Sequence, residues 1–155
     1  MKCFDVLIIG GGLSGSSTAL HLSRKGYSVL ILEKLAYREK IPCAGGMASS
    51  IKNLLPLNID KAIETEVQRV HFTWDSTDDV IAELSGDSPF LIVRREKLDK
   101  LIIEEAIKYG TKVLYSIIVE NVEKQDDIWS IKCKGNIKFH SKYLVIADGS
   151  SSQWS

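Results

Sequence analysis

Hydrophobic and polar positions alternate in short blocks at the start of the chain. Residues 4–9 form an apolar run broken by one acid, which predicts a buried parallel strand. Residues 14–25 carry apolar side chains at helical spacing and stop at Gly26, a residue that favours helix termination. Residues 28–32 are a second apolar run, ending at Glu33. The pattern therefore predicts a strand–helix–strand unit with a right-handed crossover.

The remaining pattern predicts short strands around one further long helix. Residues 34–47 have the character of a long loop, and residues 48–55 that of a short helix. Residues 95–109 repeat apolar positions at helical spacing, which predicts a helix. A Gly-Asn pair at residues 135–136 favours the turn of a hairpin over residues 119–140. The other predicted strands are residues 67–74, 80–84, 90–93, 112–115 and 143–147.

These elements predict an α/β fold, with a Rossmann-like βαβ unit built on a parallel sheet. Two predicted strands within residues 67–84 flank a polar turn, so we expect a small antiparallel layer there. A length of 155 residues suits one domain, and the chain shows no internal repeat or low-complexity segment. We assign residues 1–155 to a single domain.

Charge narrows the classes of partner. Twenty basic and twenty acidic residues cancel, and this balance gives no support for nucleic acid or an anionic membrane as a partner. No apolar run approaches the ~20 residues that span a bilayer. Residues 6–9 are too short for the apolar region of a signal peptide. We therefore expect a cytoplasmic chain without a transmembrane segment.

Cysteine and histidine usage predicts neither a disulfide framework nor a metal site. The chain has three cysteines, Cys3, Cys43 and Cys133, at irregular spacing. An odd number does not suit a disulfide framework, and zinc sites need paired ligands. The three histidines are scattered along the chain, and no Ser-His-Asp or Cys-His arrangement emerges. Cys43 is the one cysteine in a glycine-rich setting, which makes it the candidate for a chemical role.

The strongest motif is Gly10-Gly11-Gly12-Leu13-Ser14-Gly15, a G-x-G-x-x-G between a predicted strand and a predicted helix. Gly10 permits the tight turn, Gly12 lets the backbone approach a pyrophosphate, and Gly15 lets the helix pack close to the strand. The freed N–H groups, including that of Ser14, and the helix dipole then face an anion. The motif is typical of a dinucleotide site.

Glu33 supports this interpretation, because it ends the second strand 23 residues after Gly10. A carboxylate at that place accepts hydrogen bonds from an adenosine ribose and disfavours the extra phosphate of NADP. A glycine-rich turn that holds no ligand is the alternative that the residue pattern leaves open.

Three weaker motifs each allow two interpretations. Residues 42–47, Pro-Cys-Ala-Gly-Gly-Met, indicate either a backbone approached closely by a flat or crowded group or a plain surface turn. Residues 94–99, Arg-Arg-Glu-Lys-Leu-Asp, indicate a phosphate-pairing arginine or a solvated first helical turn. Residues 145–149 end a strand in Asp-Gly, which is either a simple turn or a return to the first strand beside the dinucleotide.

Four segments in this order resemble the geranylgeranyl reductase family of flavoproteins, within the p-hydroxybenzoate-hydroxylase-like group. They are DVLIIGGGLSGSSTALHLSRKGYSVLILEK, REKIPCAGGM, RREKLDKLIIEEA and YLVIADGSSS. The first segment is shared by many FAD and NAD enzymes, whereas Pro-Cys-Ala-Gly-Gly is more specific to this family. The likeness covers residues 4 to 152 and implies FAD as the cofactor.

The resemblance also implies roles for individual residues. Ser14 would contact phosphate, and Glu33 would contact the adenosine ribose. Arg95 holds the arginine place in R-x-x-[LF]-D and would reach the phosphate and ribose portion, while Val119 would offer backbone contacts to the adenine. Three residues of the second segment would line the flavin, and the Asp-Gly pair would close the site. The implied cofactor-binding set is Gly10, Gly12, Leu13, Ser14, Gly15, Glu33, Lys34, Cys43, Ala44, Gly46, Arg95, Val119, Asp148 and Gly149.

Members of this family reduce prenyl double bonds of isoprenoid lipids or chlorophyll precursors with hydride from reduced FAD. The resemblance thus implies an oxidoreductase that takes a prenylated substrate and electrons from a reduced nicotinamide or ferredoxin, peripheral to the membrane at full length. Members are over twice this length, so the chain corresponds to their front part and is truncated. Residues 67–84 would be the first strands of their substrate-domain sheet.

Two other functions remain open at the level of the sequence. One is an FAD-dependent monooxygenase or halogenase of the same group, against which the motif around Cys43 argues. The other is a non-catalytic dinucleotide-binding fragment, inactive without further sequence. Flavin-dependent oxygen consumption that an aromatic compound stimulates distinguishes the first alternative from a reductase.

Overall fold

The structure is a computed structural model that describes residues 3–36, 43, 45–75, 78–84, 90–150, 152 and 154. The chain divides into two compact units, one of residues 1–40 with 99–155 and one of residues 41–98. The first unit holds β1 Cys3–Ile9, α1 Leu13–Arg24, β2 Val29–Leu32, β8 Lys112–Leu114, β9 Val119–Gln125, β10 Ile128–Cys133 and β11 Ile137–Ile146. The second holds β3 Gly46–Ala48, α2 Ile51–Leu54, a 3-10 turn Asp60–Ala62, β4 Ile63–Val67, β5 Arg69–Trp74, β6 Asp78–Glu83 and β7 Phe90–Val93. Helix α3, Arg95–Lys108, crosses the boundary between them.

The first unit is a six-stranded sheet in the order β8-β2-β1-β11-β10-β9. Its first four strands are parallel, and β10 and β9 add to β11 in antiparallel fashion. All four residues of β2 are buried, as expected for a strand covered on both faces. The predicted strand–helix–strand unit and α/β class are confirmed.

Strand β11 joins the two halves of this sheet. Residues 137–141 pair with β10, and residues 140–146 pair with β1, so His140 and Ser141 are bonded on both sides. The sequence predicted that the hairpin ends at residue 140 and that a separate strand covers residues 143–147, and this was wrong. One strand spans both because its polar middle, at residues 140–142, is paired at the sheet interior rather than looped out.

The hairpin of β9 and β10 folds over one face of the parallel strands. Val119, Ile131 and Cys133 pack in one buried cluster with side chains of β1 and β2, although those strands are not their neighbours in the sheet. Helix α1 covers the opposite face, where Gly15 lies against Ile8. The two central strands β1 and β2 are therefore buried from both sides, and the carboxyl ends of the parallel strands lie at one edge of the sheet.

The second unit contains two small antiparallel sheets. One has the order β3-β7-β4, and the other is the pair β5-β6, which confirms the predicted antiparallel layer. The predicted helix over residues 48–55 was too long, because Ala48 pairs with Phe90 in β3 and the helix begins at Ile51. Strand β4 was not predicted, since Ile63–Val67 carries two acids and lacks a buried face.

Candidate cofactor site

The turn from β1 into α1 is shaped by two glycines that leave no room for a side chain. Gly10 has a φ of 99°, and a Cβ on it would overlap the carbonyl oxygen of Ala147 at the end of β11. A Cβ on Gly15 would overlap the carbonyl oxygen of Gly10. The N–H of Gly10 donates to the carbonyl of Leu32 at 2.9 Å. Both glycines thus serve close packing of the protein backbone itself.

Gly12 is different, because no atom lies within 4 Å of the place that its Cβ would take. It is the N-cap residue of α1, and no side chain caps this helix end. The N–H groups of Leu13 and Ser14 belong to the first turn, where a helix leaves its donors without intrahelical partners. Ser14 is exposed. The space above Gly12 therefore faces hydrogen-bond donors and the positive end of a helix dipole, as an anion requires.

Glu33 closes the same turn from the end of β2. Its carboxylate accepts hydrogen bonds from the N–H of Gly11 at 2.5 Å and the N–H of Leu35 at 2.8 Å. Sequence reasoning left Gly11 out of the site, because the second position of the motif is not a glycine requirement. The sequence feature that indicates this contact is the spacing between the glycine turn and Glu33, because it brings the end of β2 beside the turn. Lys34 is exposed next to Glu33.

The end of β11 completes this edge of the sheet. The N–H of Ala147 donates to the carbonyl of Ile9 at 2.8 Å, which brings Asp148 beside the turn at Gly10. The Oδ1 atom of Asp148 is buried and has no hydrogen-bond partner among the described residues. Buried acceptors without donors are rare in folded proteins and indicate a missing ligand or water. Gly149, with a φ of 89°, turns the chain away.

These features meet where the strand order changes direction. The chain leaves β1 for β2 on one side, while β11 lies on the other side of β1. Ligands of parallel α/β sheets bind at such a switch point, outside the carboxyl ends of the strands. Val119 begins β9 two residues after Ile117, whose N–H donates to the carbonyl of Glu33 at 2.9 Å, and its side chain lies in the buried cluster beneath the hairpin.

The other predicted residues lie in the second unit. Gly45 has a φ of 78°, and its Cβ would overlap the carbonyl oxygen of Val93, while a Cβ on Gly46 would stand 2.8 Å from the ring of Phe90. The two glycines of this motif are therefore required by the pairing of β3 with β7. Ala44 lies outside the described residues.

Cys43 and Arg95 are brought together across 52 positions of sequence. A guanidinium nitrogen of Arg95 lies 3.4 Å from the Cys43 sulfur, and the N–H of Gly45 donates to the same sulfur at 3.4 Å. Both groups are hydrogen-bond donors to this sulfur. The neighbouring Arg94 instead pairs with Glu64 at 2.6 Å.

A polar cluster that sequence reasoning missed lies at the amino ends of the strands. Asp5 on β1 accepts hydrogen bonds from Lys142 at 2.8 Å and from the Ser28 hydroxyl and N–H at 2.7 and 3.0 Å. These donors, Lys142 first, hold the pKa of Asp5 well below its usual range. In the sequence, the one indication of this cluster is the acid that interrupts the apolar run of residues 4–9. The cluster ties β1, β2 and β11 together, far along the strands from the glycine turn.

The fold and this edge define a dinucleotide-binding protein of the parallel α/β class. The chain belongs to the FAD binding domain family, whose pattern matches residues 3–155. FAD is therefore its cofactor. The open helix end fits the phosphates of this ligand, and the unpartnered Asp148 oxygen fits one of its hydroxyl donors.

Two curated proteins are similar to this chain over almost its whole length. Protein FixC of Salmonella typhi is 30% identical over 160 residues, covering 96% of this chain and 37% of FixC. The digeranylgeranylglycerophospholipid reductase of Thermoplasma volcanium is 28% identical over 163 residues, covering 99% of this chain and 41% of the reductase. The chain thus spans about two fifths of the length of the curated relatives it matches.

Solved structures agree with the fold. A geranylgeranyl bacteriochlorophyll reductase-like protein from Thermoplasma acidophilum superposes with a TM-score of 0.83 at 26% identity, over 96% of this chain and 40% of that one. The p-nitrophenol 4-monooxygenase PnpA from Pseudomonas putida superposes with a TM-score of 0.85 at 19% identity, over 99% of this chain and 43% of that one. The resemblance to geranylgeranyl reductases is confirmed, and the likeness to PnpA shows the fold alone.

No helix in the described ranges has the length and apolar character to cross a bilayer. No group of three or more His, Cys, Asp or Glu side chains in those ranges is arranged to hold a metal ion.

Proposed function

We propose that this chain is the FAD-binding portion of a flavin-dependent oxidoreductase that reduces prenyl double bonds of isoprenoid lipids. We infer the FAD site from the end of α1, which no side chain caps and which is open above Gly12. Glu33 and the unpartnered Asp148 oxygen flank this helix end. Two relatives with geranylgeranyl reductase names, one a curated protein and one a solved structure, support the choice of reaction.

In this proposal, different residues of the first unit bind different parts of FAD. The N–H groups of Leu13 and Ser14 donate to the pyrophosphate, which approaches over Gly12 because that position has no side chain. Glu33 accepts hydrogen bonds from the adenosine ribose while it keeps the Gly11 N–H. Lys34 and the backbone of Val119 flank the adenine. Asp148 and Gly149 close the binding site around Gly12, Leu13, Ser14 and Glu33, which is called the cofactor cradle below.

On the family resemblance, we also propose that Cys43, Ala44 and Gly46 contact the flavin and that Arg95 contacts the phosphate and ribose portion of FAD. The Cys43 sulfur is a candidate for chemistry because Arg95 and the Gly45 N–H both donate hydrogen bonds to it. When bound and reduced, FAD supplies the hydride, and the protein positions it. The substrate is an isoprenoid or otherwise prenylated lipid, and the electron donor is a reduced nicotinamide or ferredoxin.

An absorption spectrum of the purified chain, mixed with FAD and then desalted, tests the cofactor site. Flavin bands at about 375 and 450 nm that survive desalting mean that these residues form the site by themselves. Loss of every band contradicts the proposed cradle as a self-sufficient site.

The reaction needs a separate test. The chain is incubated with FAD, a chemical reductant and a geranylgeranylated glycerophospholipid, and the lipid is followed by mass spectrometry. A gain of two hydrogen atoms per double bond supports the reductase. Oxygen consumption stimulated by an aromatic compound would instead favour a monooxygenase or halogenase. Flavin retention with neither activity would favour a binding fragment.

Three expectations from the sequence stay predictions. They are the cytoplasmic location, the single domain over residues 1–155, and the assignment of residues 67–84 to the first strands of a substrate-domain sheet. The last is supported by the apolar side chains that the β5–β6 pair exposes.

A further inference from the structure

A buried hydroxyl is hydrogen-bonded to the backbone of the glycine turn. Ser16 is the residue after the last glycine of the motif, and it is completely buried. Its hydroxyl donates to the carbonyl of Gly12 at 2.9 Å, and the carbonyl of Leu13 shares the same donor at 3.3 Å. The N–H of Ser16 already donates to the Gly12 carbonyl at 2.9 Å, as helix geometry requires. The hydroxyl bonds are therefore additional to those that form the helix.

These two carbonyls belong to the peptide groups whose N–H donors are proposed to bind the pyrophosphate. A peptide group is planar and trans, so its C=O and N–H point in opposite directions. Holding the carbonyl of Gly12 therefore sets the direction of the Leu13 N–H, and holding the carbonyl of Leu13 sets that of the Ser14 N–H. A hydrogen bond to a carbonyl also polarises its peptide group, which makes the N–H a stronger donor.

The hydroxyl of Ser16 takes the place of an ordinary helix cap. A serine or aspartate at the N-cap would accept hydrogen bonds from the first-turn N–H groups, and so occupy the donors that a phosphate needs. Gly12 caps none of them with a side chain, but a glycine also leaves its own backbone freer to rotate. Ser16 restrains the same turn from its carbonyl side. The turn is thereby ordered while its N–H groups stay available to a ligand.

We propose that Ser16 is a positioning residue for FAD, whose hydroxyl holds the glycine turn so that the N–H groups of Leu13 and Ser14 face the pyrophosphate. The inference rests on the proposed cofactor cradle. Ser16 acts through the backbone and does not touch the cofactor, because it is fully buried. A serine that bonds back to the preceding turn slightly destabilises a helix, and alanine is the better helix former. Ligand binding, and not helix stability, therefore accounts for a serine at this position.

Ser16→Ala separates cofactor binding from stability. Its unfolding temperature without cofactor should change by less than about 4 °C, because the Gly12 carbonyl keeps its bond from the backbone N–H and alanine favours the helix. Its FAD affinity, measured by flavin fluorescence, should fall by about threefold to tenfold, the effect of one net hydrogen bond.

Ser23→Ala is the matched control. Ser23 lies in the same helix, is also buried, and its hydroxyl donates to the carbonyl of Leu20 at 3.2 Å, two turns beyond Ser16. The same substitution there removes the same kind of bond without touching the glycine turn. Ser23→Ala should leave FAD affinity unchanged, and a loss as large as that in Ser16→Ala would overturn the inference.

Amide NMR spectra with ADP, the adenosine and pyrophosphate part of FAD, test the orientation of the donors directly. At saturating ADP the amide protons of Leu13 and Ser14 should shift downfield in the unaltered chain, because they donate to charged phosphate oxygens. The shifts should be smaller in Ser16→Ala and unchanged in Ser23→Ala. A merely structural role for Ser16 would alter stability and leave the shifts at saturation as they are.

Two failures are distinguishable. If the unaltered chain binds FAD and ADP, and Ser16→Ala matches it in affinity and in amide shifts, the inference about Ser16 is wrong and the cofactor cradle stands. If the unaltered chain binds neither ligand, the cofactor cradle is wrong, and the inference that rests on it is overturned as well.

Discussion

Gly12 and Gly15 lie three residues apart in the glycine turn, yet a methyl group would meet empty space at one and backbone at the other. This difference separates a glycine kept for a ligand from a glycine kept for the fold. It also makes the cofactor cradle testable without a bound structure.

Gly12→Ala should fold normally and bind FAD poorly. Its free energy of unfolding should fall by no more than about 1 kcal/mol, the usual effect at an N-cap. The added methyl group stands where the pyrophosphate approaches, so FAD affinity should fall by about tenfold or more, equivalent to about 1.4 kcal/mol. Titration of flavin fluorescence and thermal unfolding measure the two effects.

Gly15→Ala is the comparison variant, because its Cβ overlaps the Gly10 carbonyl. It should lose about 3 kcal/mol of stability or more before any cofactor is added. Equal FAD affinity in Gly12→Ala and the unaltered chain would mean that the space above Gly12 is not the pyrophosphate site.

At the scale of elements, long-range contacts decide how strands are held. The cluster at Asp5 joins three parallel strands, and the pairing of β3 with β7 depends on two glycines. Each arrangement predicts a measurable change when one residue is replaced.

The stabilisation from Asp5 should depend on pH. Its folded-state pKa lies below the ordinary value of 3.8 because Lys142 and Ser28 donate to the carboxylate. A carboxylate with a lowered pKa contributes stability above 3.8, and this is lost as the pH falls below that value. Asp5→Asn should therefore unfold at a lower temperature than the unaltered chain near about pH 7, with the gap narrowing below about pH 4. Thermal unfolding across this range checks the trend, and a gap that stays constant would contradict it.

Gly45→Ala should destabilise the second unit. The substitution combines a positive φ with an overlap against the Val93 carbonyl, so a loss of about 3 kcal/mol or more is expected. Gly26→Ala is the control, because Gly26 also has a positive φ but nothing lies near its Cβ. That variant should lose only about 1–2 kcal/mol. Hydrogen exchange should speed up in β3 and β7 for the first variant only; faster exchange confined to β1 would contradict this.

For the whole molecule, FAD should act as a stabilising ligand of the first unit. A ligand that binds only the folded state at 100 times its dissociation constant adds about 2.7 kcal/mol. The unfolding temperature should therefore rise with FAD concentration, and hydrogen exchange should slow most at the β1–α1 turn and around Glu33 and Asp148. No rise with FAD in the unaltered chain would contradict a cradle formed by these residues.

The sequence was informative where contacts are local. The strand, glycine turn, helix and second strand lie within 30 consecutive residues, and their order follows from apolar spacing and from glycine chemistry. Glu33 was found for the same reason, since a fixed spacing brings the end of β2 beside the turn. Strand β4 was missed because its residues are mostly exposed and it is held by β7 alone.

What the sequence by itself determined is the class of fold, the dinucleotide turn and the family likeness, because these depend on short-range pattern. Tertiary structure alone decided that β11 pairs with β1 on one side and β10 on the other. It also decided that the Val93 carbonyl packs against Gly45 and that Lys142 donates a hydrogen bond to Asp5. These pairs are separated by tens of residues or more. No local pattern encodes them, since their partners are chosen by the packing of the whole chain.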